Sequence, residues 1–597
     1  MSFLFGGSRK ESVDLTAVDS DALIKVLKGL DLVMDDRIPE AVEIFDSKST
    51  AFHLTGKAVI SFIQGVLGFE PAVLKRASDE LQAAEDALEK GLKTAAKYRM
   101  RTSTYPCGME YEVCLGEVQL MHAICGFAGE SIMKSFSSVL KIKRAFATFD
   151  SIMKKHGAKI TEQHARPVDT TTIHEDVNVP LVDEAIQSGV LMCYGLLTLI
   201  ISLLPPKLTK VLNLLGFHGE RDEALKYLWI AASKPQSLQG AASFASLVQY
   251  YGGAVQLCDI YDTSAGKDGW PVEKSFQTLE QINQYYPRGK LWVLHDAKLR
   301  GMEKNLTEAL AVLDRGFASE KPELQQIETL MLFEYALDCS FDHQYVKAAE
   351  YYIRVRDQND WSHALYTYFA ACCYIEDIRS NGNVDSLPKA NELLESIPAM
   401  FQTKQKLFGG TKVTVPIESL IERRISKWSK KRVSAGGSGG LAEYAGPSPI
   451  MELIYVYNGY RRMDKVALTR WKSVPPAPNM DSDDEICREL MSAVVLRNLG
   501  DIAGASSILR DFCGKKIKTA EAWAVAFGYY EYAVCIWWEL QDLTDNKKVR
   551  EQLDECYKYL RMALDAENNE LEGRLNIRCQ LAKEVVKARR SQIGSKN

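Results

Sequence analysis

Residues 203–228 read "LLPPKLTKVLNLLGFHGERDEALKYL" and follow "GVLMCYGLLTLIIS" (189–202), the most apolar run of the chain. Such a stretch suits a membrane segment, a phosphate loop or a tight corner between helices. The strongly apolar part, Gly189 to Leu204, covers 16 residues. Spanning a bilayer takes about 20, so the run reads as a buried core helix. Pro205 stops it, because the residue before a proline is pushed out of the α region. Pro206 suits the first turn of the next helix, where a missing N–H costs nothing. Leu208, Val211, Leu212 and Leu215 recur at helical spacing. Gly216 stands where a left-handed residue ends a helix, and Gly219 permits a second tight turn. Glu220 and Asp222 then put negative charge at the start of a further helix. The stretch therefore predicts a corner that fixes how N-terminal helices meet a central helical region. At that corner Arg221 is expected to cap carbonyls or pair with a carboxylate.

Similar corners recur along the chain. The pattern apolar-x-x-Ala-x-x-x-apolar appears at Ile38/Ala41/Phe45, Leu306/Ala309/Leu313, Tyr345/Ala348/Tyr352, Leu387/Ala390/Leu394 and Ile502/Ala505/Leu509. Twelve positions upstream of four of these alanines stand Gly29, Ala297, Ala336 and Ala493. Small residues at matched places let antiparallel helices approach closely while larger neighbours fill the grooves. The spacing is similar to that of the tetratricopeptide repeat, and Trp361, Ala364, Leu365 and Tyr368 fit that repeat's first helix. Strand signals are nearly absent, "TKVTVP" at 411–416 being the best. The predicted fold is all-α, a solenoid of degenerate tetratricopeptide-like helix pairs.

Composition shifts divide the chain into an N-terminal helical region (1–185), a central region with the corner and repeats (186–432), a flexible Gly/Ser-rich loop (433–449), and a C-terminal helical region (450–597). The last of these carries a proline-rich, acidic loop at 474–485. A net charge of −5 argues against general attraction to nucleic acid. Thirteen cysteines without a CxxC, and a start lacking a signal peptide's features, point to reduced thiols in a cytosolic or nuclear setting.

Three stretches carry a resemblance. "GLLTLIISLLPPKLTKVLNLLGFHGERDEALKYL", "EVQLMHAICGFAGESIMKSFSSVLKIKRAF" and "LLESIPAMFQTKQKLFGGTKVTVPIESLIERR" resemble, in family order, the tetratricopeptide repeat protein 39 and fungal inclusion body clearance family. Its fungal branch is the better match. Pro205, Pro206, Gly216, Phe217, Gly219 and Arg221 match the family's signature corner, whereas Ala224 stands where the family often has glycine. The resemblance implies a role in clearing cytosolic inclusion bodies, a connection to lipid droplets, residence in cytoplasm and nucleus, and no enzymatic activity to carry over.

A search for chemistry agrees. "GGSGG" (436–440) matches G-x-S-x-G but lacks the strand a nucleophile elbow requires. "SAGKDG" near Ala265 lacks the remaining glycine and hydroxyl of a phosphate loop. No His/Cys set has zinc spacing, so no catalytic residue, cofactor or metal is expected. The aromatic cluster Tyr529, Tyr530, Tyr532, Trp537 and Trp538 reads as core. The helix predicted over 416–432 is basic. Its residues Arg423, Arg424, Lys427, Lys430 and Lys431 form a candidate surface for an acidic partner or anionic lipid. Ordinary packing of its apolar face is the alternative. Two functions follow: an interaction scaffold that binds other proteins, including those of lipid droplets, or a peripheral lipid-binding protein without a transmembrane helix. Shielding of Leu191–Leu204 in the fold discriminates between them.

Overall fold

A computed structural model describes residues 15–594, apart from 69, 98–103, 129–131, 165–177, 204–216, 218, 264–265, 360–361, 408–415, 475, 478–479, 516 and 567–568. Every regular element among the described residues is a helix. The fold is all-α, as the small-residue spacing predicts. The stretch 411–416, the best of the weak strand signals, falls almost wholly outside the described residues, and Trp361 lies outside them. The chain forms two compact units: Met1–Ser202 with Asn213–Phe244 and Gln284–Arg288, and Leu203–Leu212 with Ala245–Asn283 and Gly289–Asn597.

The first unit holds α1 (Leu15–Met34), α2 (Ile38–Asp46), α3 (Ala51–Gly68), α4 (Pro71–Ala95), α5 (Met109–Ala128), α6 (Ile132–His164), α7 (Asn178–Leu203) and α8 (Arg221–Ala231). Its first pair closes on Phe45, which is buried between Gly29 of α1 and Gly56 of α3. A Cβ at either glycine would lie 2.5–2.6 Å from the ring. Both glycines are there for space, since tight packing leaves no slack for another carbon.

The second unit contains α9 (Leu238–Gln249) in part, a π-turn at Tyr250–Val255, α10 (Val272–Tyr285), and then the helix pairs. These are α11 (Lys290–Met302) with α12 (Leu306–Ala318), α13 (Gln325–Phe341) with α14 (Tyr345–Gln358), and α15 (His363–Asn381) with α16 (Ser386–Leu407). After α17 (Pro416–Ser434), α18 (Pro449–Val456) and α19 (Lys465–Ser473) the pairing resumes. There α20 (Ser482–Leu499) packs on α21 (Ile502–Gly514), α22 (Ala522–Glu539) on α23 (Asn546–Asp565), and α24 (Glu572–Gly594) closes the unit. The marker alanines Ala309, Ala348, Ala390 and Ala505 are fully buried, as are Ala297, Ala336 and Ala493 on the facing helices. Leu387 and Ile502 are only half-buried.

Four corners, one in the first unit (α1/α2) and three in the second (α11/α12, α13/α14 and α20/α21), share one backbone design. Asp36, Lys304, His343 and Gly500 each have φ between 58° and 93° and stand five residues before a marker alanine. Each left-handed residue donates its N–H three residues back (Asp36 to Val33, Lys304 to Gly301, His343 to Ser340, Gly500 to Arg497). The next residue donates five back (Arg37 to Leu32, Asn305 to Arg300, Gln344 to Cys339, Asp501 to Leu496). That double bond pattern is the Schellman motif, which satisfies the carbonyls a helix end leaves open. Asn305, which opens an apparent glycosylation sequon, caps α12 by accepting the Glu308 N–H at 3.2 Å.

A buried polar hub ties the second unit together. Arg497 bridges Asp259 (3.2 Å) and Glu531 (2.8 Å), and Tyr455 donates to Glu531 at 2.7 Å. Asn458, held at φ 52°, donates to the Gln256 carbonyl, and Arg461 donates to the carbonyls of Val255 and Cys258. The aromatic residues of α22 belong to this interior: Tyr530 donates to Asp259, Trp538 donates to the Asp259 carbonyl, and Trp537 is buried.

The segment 433–449, expected as a flexible loop, has two parts: residues 433–439 are exposed, and a turn packed against α16 follows. Gly436, Gly437 and Gly439 all have positive φ, so the glycines build a tight reversal. The chain then forms a 3-10 turn at Leu441–Tyr444, whose Ala442 N–H donates to Asn391 of α16 at 2.8 Å. Leu441 and Ala445 are buried, and burial fixes a segment whatever its composition.

Candidate functional site: the signature corner, the basic helix and the cations left over

The apolar run lies in α7. By length and composition the stretch Leu181–Leu203, 23 residues, is able to cross a membrane. The 16-residue count therefore does not decide the matter. The inner face of α7 is covered: Leu191, Cys193, Leu197, Thr198, Leu199 and Ile201 are each at most 3% exposed, while Leu181 and Ile200 point outward. Gly195 lets α8 approach, since a Cβ there would meet the Ala224 carbonyl oxygen at 3.2 Å. Ala224 itself is fully buried.

Of the signature residues, Pro205, Pro206 and Gly216 lie outside the described residues, and α7 ends at Leu203, two positions before Pro205. Phe217 is 1% exposed and packs against Phe146 with ring centroids 5.0 Å apart. Gly219 does not take the positive φ expected of a turn glycine; its need is proximity. A Cβ there would sit 2.9 Å from the Thr198 carbonyl oxygen and 3.0 Å from the Ser202 nitrogen. Arg221 Nη2 donates to the Ser202 carbonyl at 3.2 Å, closing one of the open acceptors at the end of α7. The corner joins α7 to α8 by close backbone contact and a capped helix end.

The basic helix has a different fate from the one its composition suggests. In α17, Ile417, Leu420, Ile421, Ile425 and Trp428 are buried, as the apolar periodicity predicts. The cations, offered as a surface for lipid or partner, are for the most part turned to carboxylates of the same chain. Arg424, 2% exposed, lies 2.8 Å from Glu452 and 3.1 Å from Glu521. Arg423 binds Glu521 at 2.7 Å and Glu570 at 2.8 Å. Lys427 reaches Asp481 and Asp484, both at 2.8 Å, and Lys431 reaches Asp481 at 3.0 Å. Only Lys430 of the five stands exposed.

Those aspartates come from the acidic stretch, which is likewise engaged. Asp481 and Asp484 form a capping box on α20: the Asp484 N–H donates to Asp481 at 2.9 Å and the Asp481 N–H to Asp484 at 3.1 Å. Burial opposes the charge of Asp481, yet hydrogen bonds from Lys427, the Asp484 N–H and Lys431 hold its carboxyl well below the usual range. The basic helix and the acidic loop neutralise each other.

No hydrolase site forms at Ser438. Its carbonyl accepts from Tyr444 at 2.7 Å, and no strand precedes it among the described residues. Nor does any group of three or more metal-binding side chains assemble among them. None of the thirteen cysteines is in a disulfide, and burial pushes the thiols of Cys372 and Cys487 well up, away from reactivity.

Exposed basic residues without an ion pair among the described residues also stand on α19, "KVALTRWKS". Lys465 and Arg470 are exposed and have no ion-pair partner. They rim a concavity of about 720 Å³ with Arg379, Ser380, Asn381, Thr469 and Ser473. Sequence reading passed α19 over because its basic residues are spread among apolar ones.

Stacked helix pairs joined by capped corners define a helical-repeat protein. The Iml2/Tetratricopeptide repeat protein 39 family model matches residues 27–499, and the chain belongs to that family. It is 42% identical to the inclusion body clearance protein IML2 of Schizosaccharomyces pombe, over 94% of this chain and 97% of that protein. It is 30% identical to the IML2 protein of Yarrowia lipolytica, over 81% and 82% of the two chains. The crystal structure of yeast Tom70 aligns with 97% of this chain and 99% of its own at 10% identity and a TM-score of 0.27, a likeness too loose to carry function.

Proposed function

We propose that this chain is a non-enzymatic helical-repeat scaffold acting in the clearance of cytosolic protein inclusion bodies through contacts with other proteins, in cytoplasm and nucleus. The observation that carries this is the 42% identity, along nearly the full length of both chains, to a fission-yeast protein named for inclusion body clearance. Two features support a scaffold: the α17 cations are mostly matched to carboxylates of the same chain, and no strand precedes Ser438 among the described residues. Support for the scaffold over the lipid-surface alternative comes from the cover over much of α7 and the pairing of four of the five α17 cations within the chain. A link to lipid droplets would then run through partner proteins.

The test is complementation. In cells lacking the protein, inclusions of an aggregation-prone fluorescent reporter should persist after heat stress, and the wild-type chain should restore their loss. Ser438→Ala should restore it equally. Normal clearance without the protein would overturn the proposal.

A further inference from the structure

The concavity beside α19 differs in charge from the rest of the second unit's polar structure. Arg423, Arg424, Lys427, Lys431 and Arg497 each sit on a carboxylate. Lys465 and Arg470 do not, and no carboxylate lines the depression they share with Arg379. The acids nearby are already engaged. Asp464 accepts the Ala467 N–H at 2.8 Å, Asp377 accepts from Asn381 and Ser386, and Glu376 accepts from Ser380 and Ser448. Arg379 is held in place by donating to the Gly446 and Ala445 carbonyls, both at 2.9 Å. Lys465 also occupies the first turn of α19, where a cation opposes the helix dipole. Its position does not serve the stability of α19.

The same helix lines a second, smaller cavity of about 190 Å³, in which Trp471 and Val474 meet Met451, Met491, Val495 and Leu496. Val474 borders both cavities. Trp471, 3% exposed, forms one wall of this slot. A cationic depression next to a slot lined mainly by apolar side chains, with Glu452 and Arg488 at its border, suits a ligand that brings negative charge and an apolar group together.

We propose that the α19 surface docks an acidic segment of a partner protein, with Lys465, Arg470 and Arg379 facing its carboxylates and an apolar side chain of the segment entering the slot beside Trp471. The larger concavity is within the size range of pockets that enclose a small ligand, about 300–1,000 Å³. It opens to solvent between the end of α15 and α19, where an extended segment can lie. The inference rests on the scaffold reading, because it supplies the chemistry of one partner contact.

The test uses the full-length protein and a fluorescein-labelled peptide of six glutamates around a central tryptophan, read by polarisation. Lys465→Glu/Arg470→Glu is expected to weaken binding at least tenfold with unchanged melting, because both side chains are exposed. Lys430→Glu, an exposed cation on α17, should leave binding within twofold. Leu496→Trp, which fills the slot, should weaken the tryptophan peptide more than an all-glutamate one. The proposal is overturned if the wild type does not bind, if Lys430→Glu weakens binding as much as the double reversal, or if phosphatidylserine vesicles bind the same residues more tightly than the peptide. Inorganic phosphate displacing the peptide completely at low millimolar concentration would also overturn it, by marking a simple anion site. Peptide binding is measured without inclusion bodies. Its failure therefore leaves the clearance proposal standing, and failure of complementation leaves a positive peptide result intact.

Discussion

Replacing Arg424 with alanine should destabilise the second unit by about 3–5 kcal/mol, the usual cost of removing one partner from a buried ion pair. The guanidinium is 2% exposed and meets Glu452 at 2.8 Å, Glu521 at 3.1 Å and Asp484 at 4.0 Å. Without it, Glu521 keeps Arg423 and the Trp523 indole, and Asp484 keeps Lys427 and Lys431. The penalty therefore concentrates on Glu452, which has no other cation in ion-pair range among the described residues. At about 2.1 cal/mol/K of unfolding entropy per residue, a unit of this length should lose about 4–7 °C of Tm. Differential scanning calorimetry reads that shift directly. Two controls separate causes. Lys430→Ala, on the same helix but exposed, should stay within about 0.5 kcal/mol of wild type. Arg424→Met/Glu452→Met should recover at least half of the loss, because removing both charges leaves neither stranded. A melt within 1 °C of wild type for Arg424→Ala would refute the account, and so would an equal loss in Lys430→Ala. A freely available basic surface predicts the opposite set: unchanged stability and altered binding.

Four further outcomes are expected. Lys304→Gly should raise stability by about 0.5–1 kcal/mol in urea titration, since a lysine at φ 63° carries a left-handed penalty that glycine does not; a loss would show that the Lys304 side chain is needed. Gly56→Val should cost about 1–3 kcal/mol by overpacking against Phe45, and a combined Gly56→Val/Phe45→Leu variant should be less destabilised than the two single costs added together. Gly219→Ala should lower Tm more than Gly573→Ala, because the first meets backbone atoms within 3.0 Å and the second meets nothing within 4 Å. Glu117 has its carboxyl pushed up from 4.5 to about 7 by burial. A raised carboxyl contributes its stability below about pH 4.5 and loses it as pH climbs through 7, so Glu117→Gln should gain on wild type by up to about 1.4 kcal/mol per pH unit across that window. Thermal melts at pH 5 and pH 8 that show a constant difference would exclude this.

The amino-acid order alone determined what depends on near neighbours. Helix periodicity and the absence of strand signals defined the class, and Ala41, Ala309, Ala348, Ala390 and Ala505 marked the close approaches because a helix repeats its face every few residues. The apolar character of α17's inner face was legible for the same reason. The Schellman corners were only partly so: one of the four left-handed positions is a glycine, while Asp36, Lys304 and His343 adopt that conformation because the packed pair leaves no other path. Length and apolarity could not settle α7, since a membrane helix and a covered core helix satisfy both; neighbours such as α8 decided it. Where the chain goes after the Gly/Ser-rich stretch was not legible either: Asn391, some fifty residues away in sequence, accepts the Ala442 N–H there. The charges depended most on tertiary structure. Whether Arg424 or Lys427 faces solvent turns on Glu452, Asp481 and Glu521, and whether Lys465 and Arg470 stay unmatched turns on Asp464 and Glu376 being engaged elsewhere. A side chain's charge is written at its own position, but its electrostatic partner is chosen by the fold.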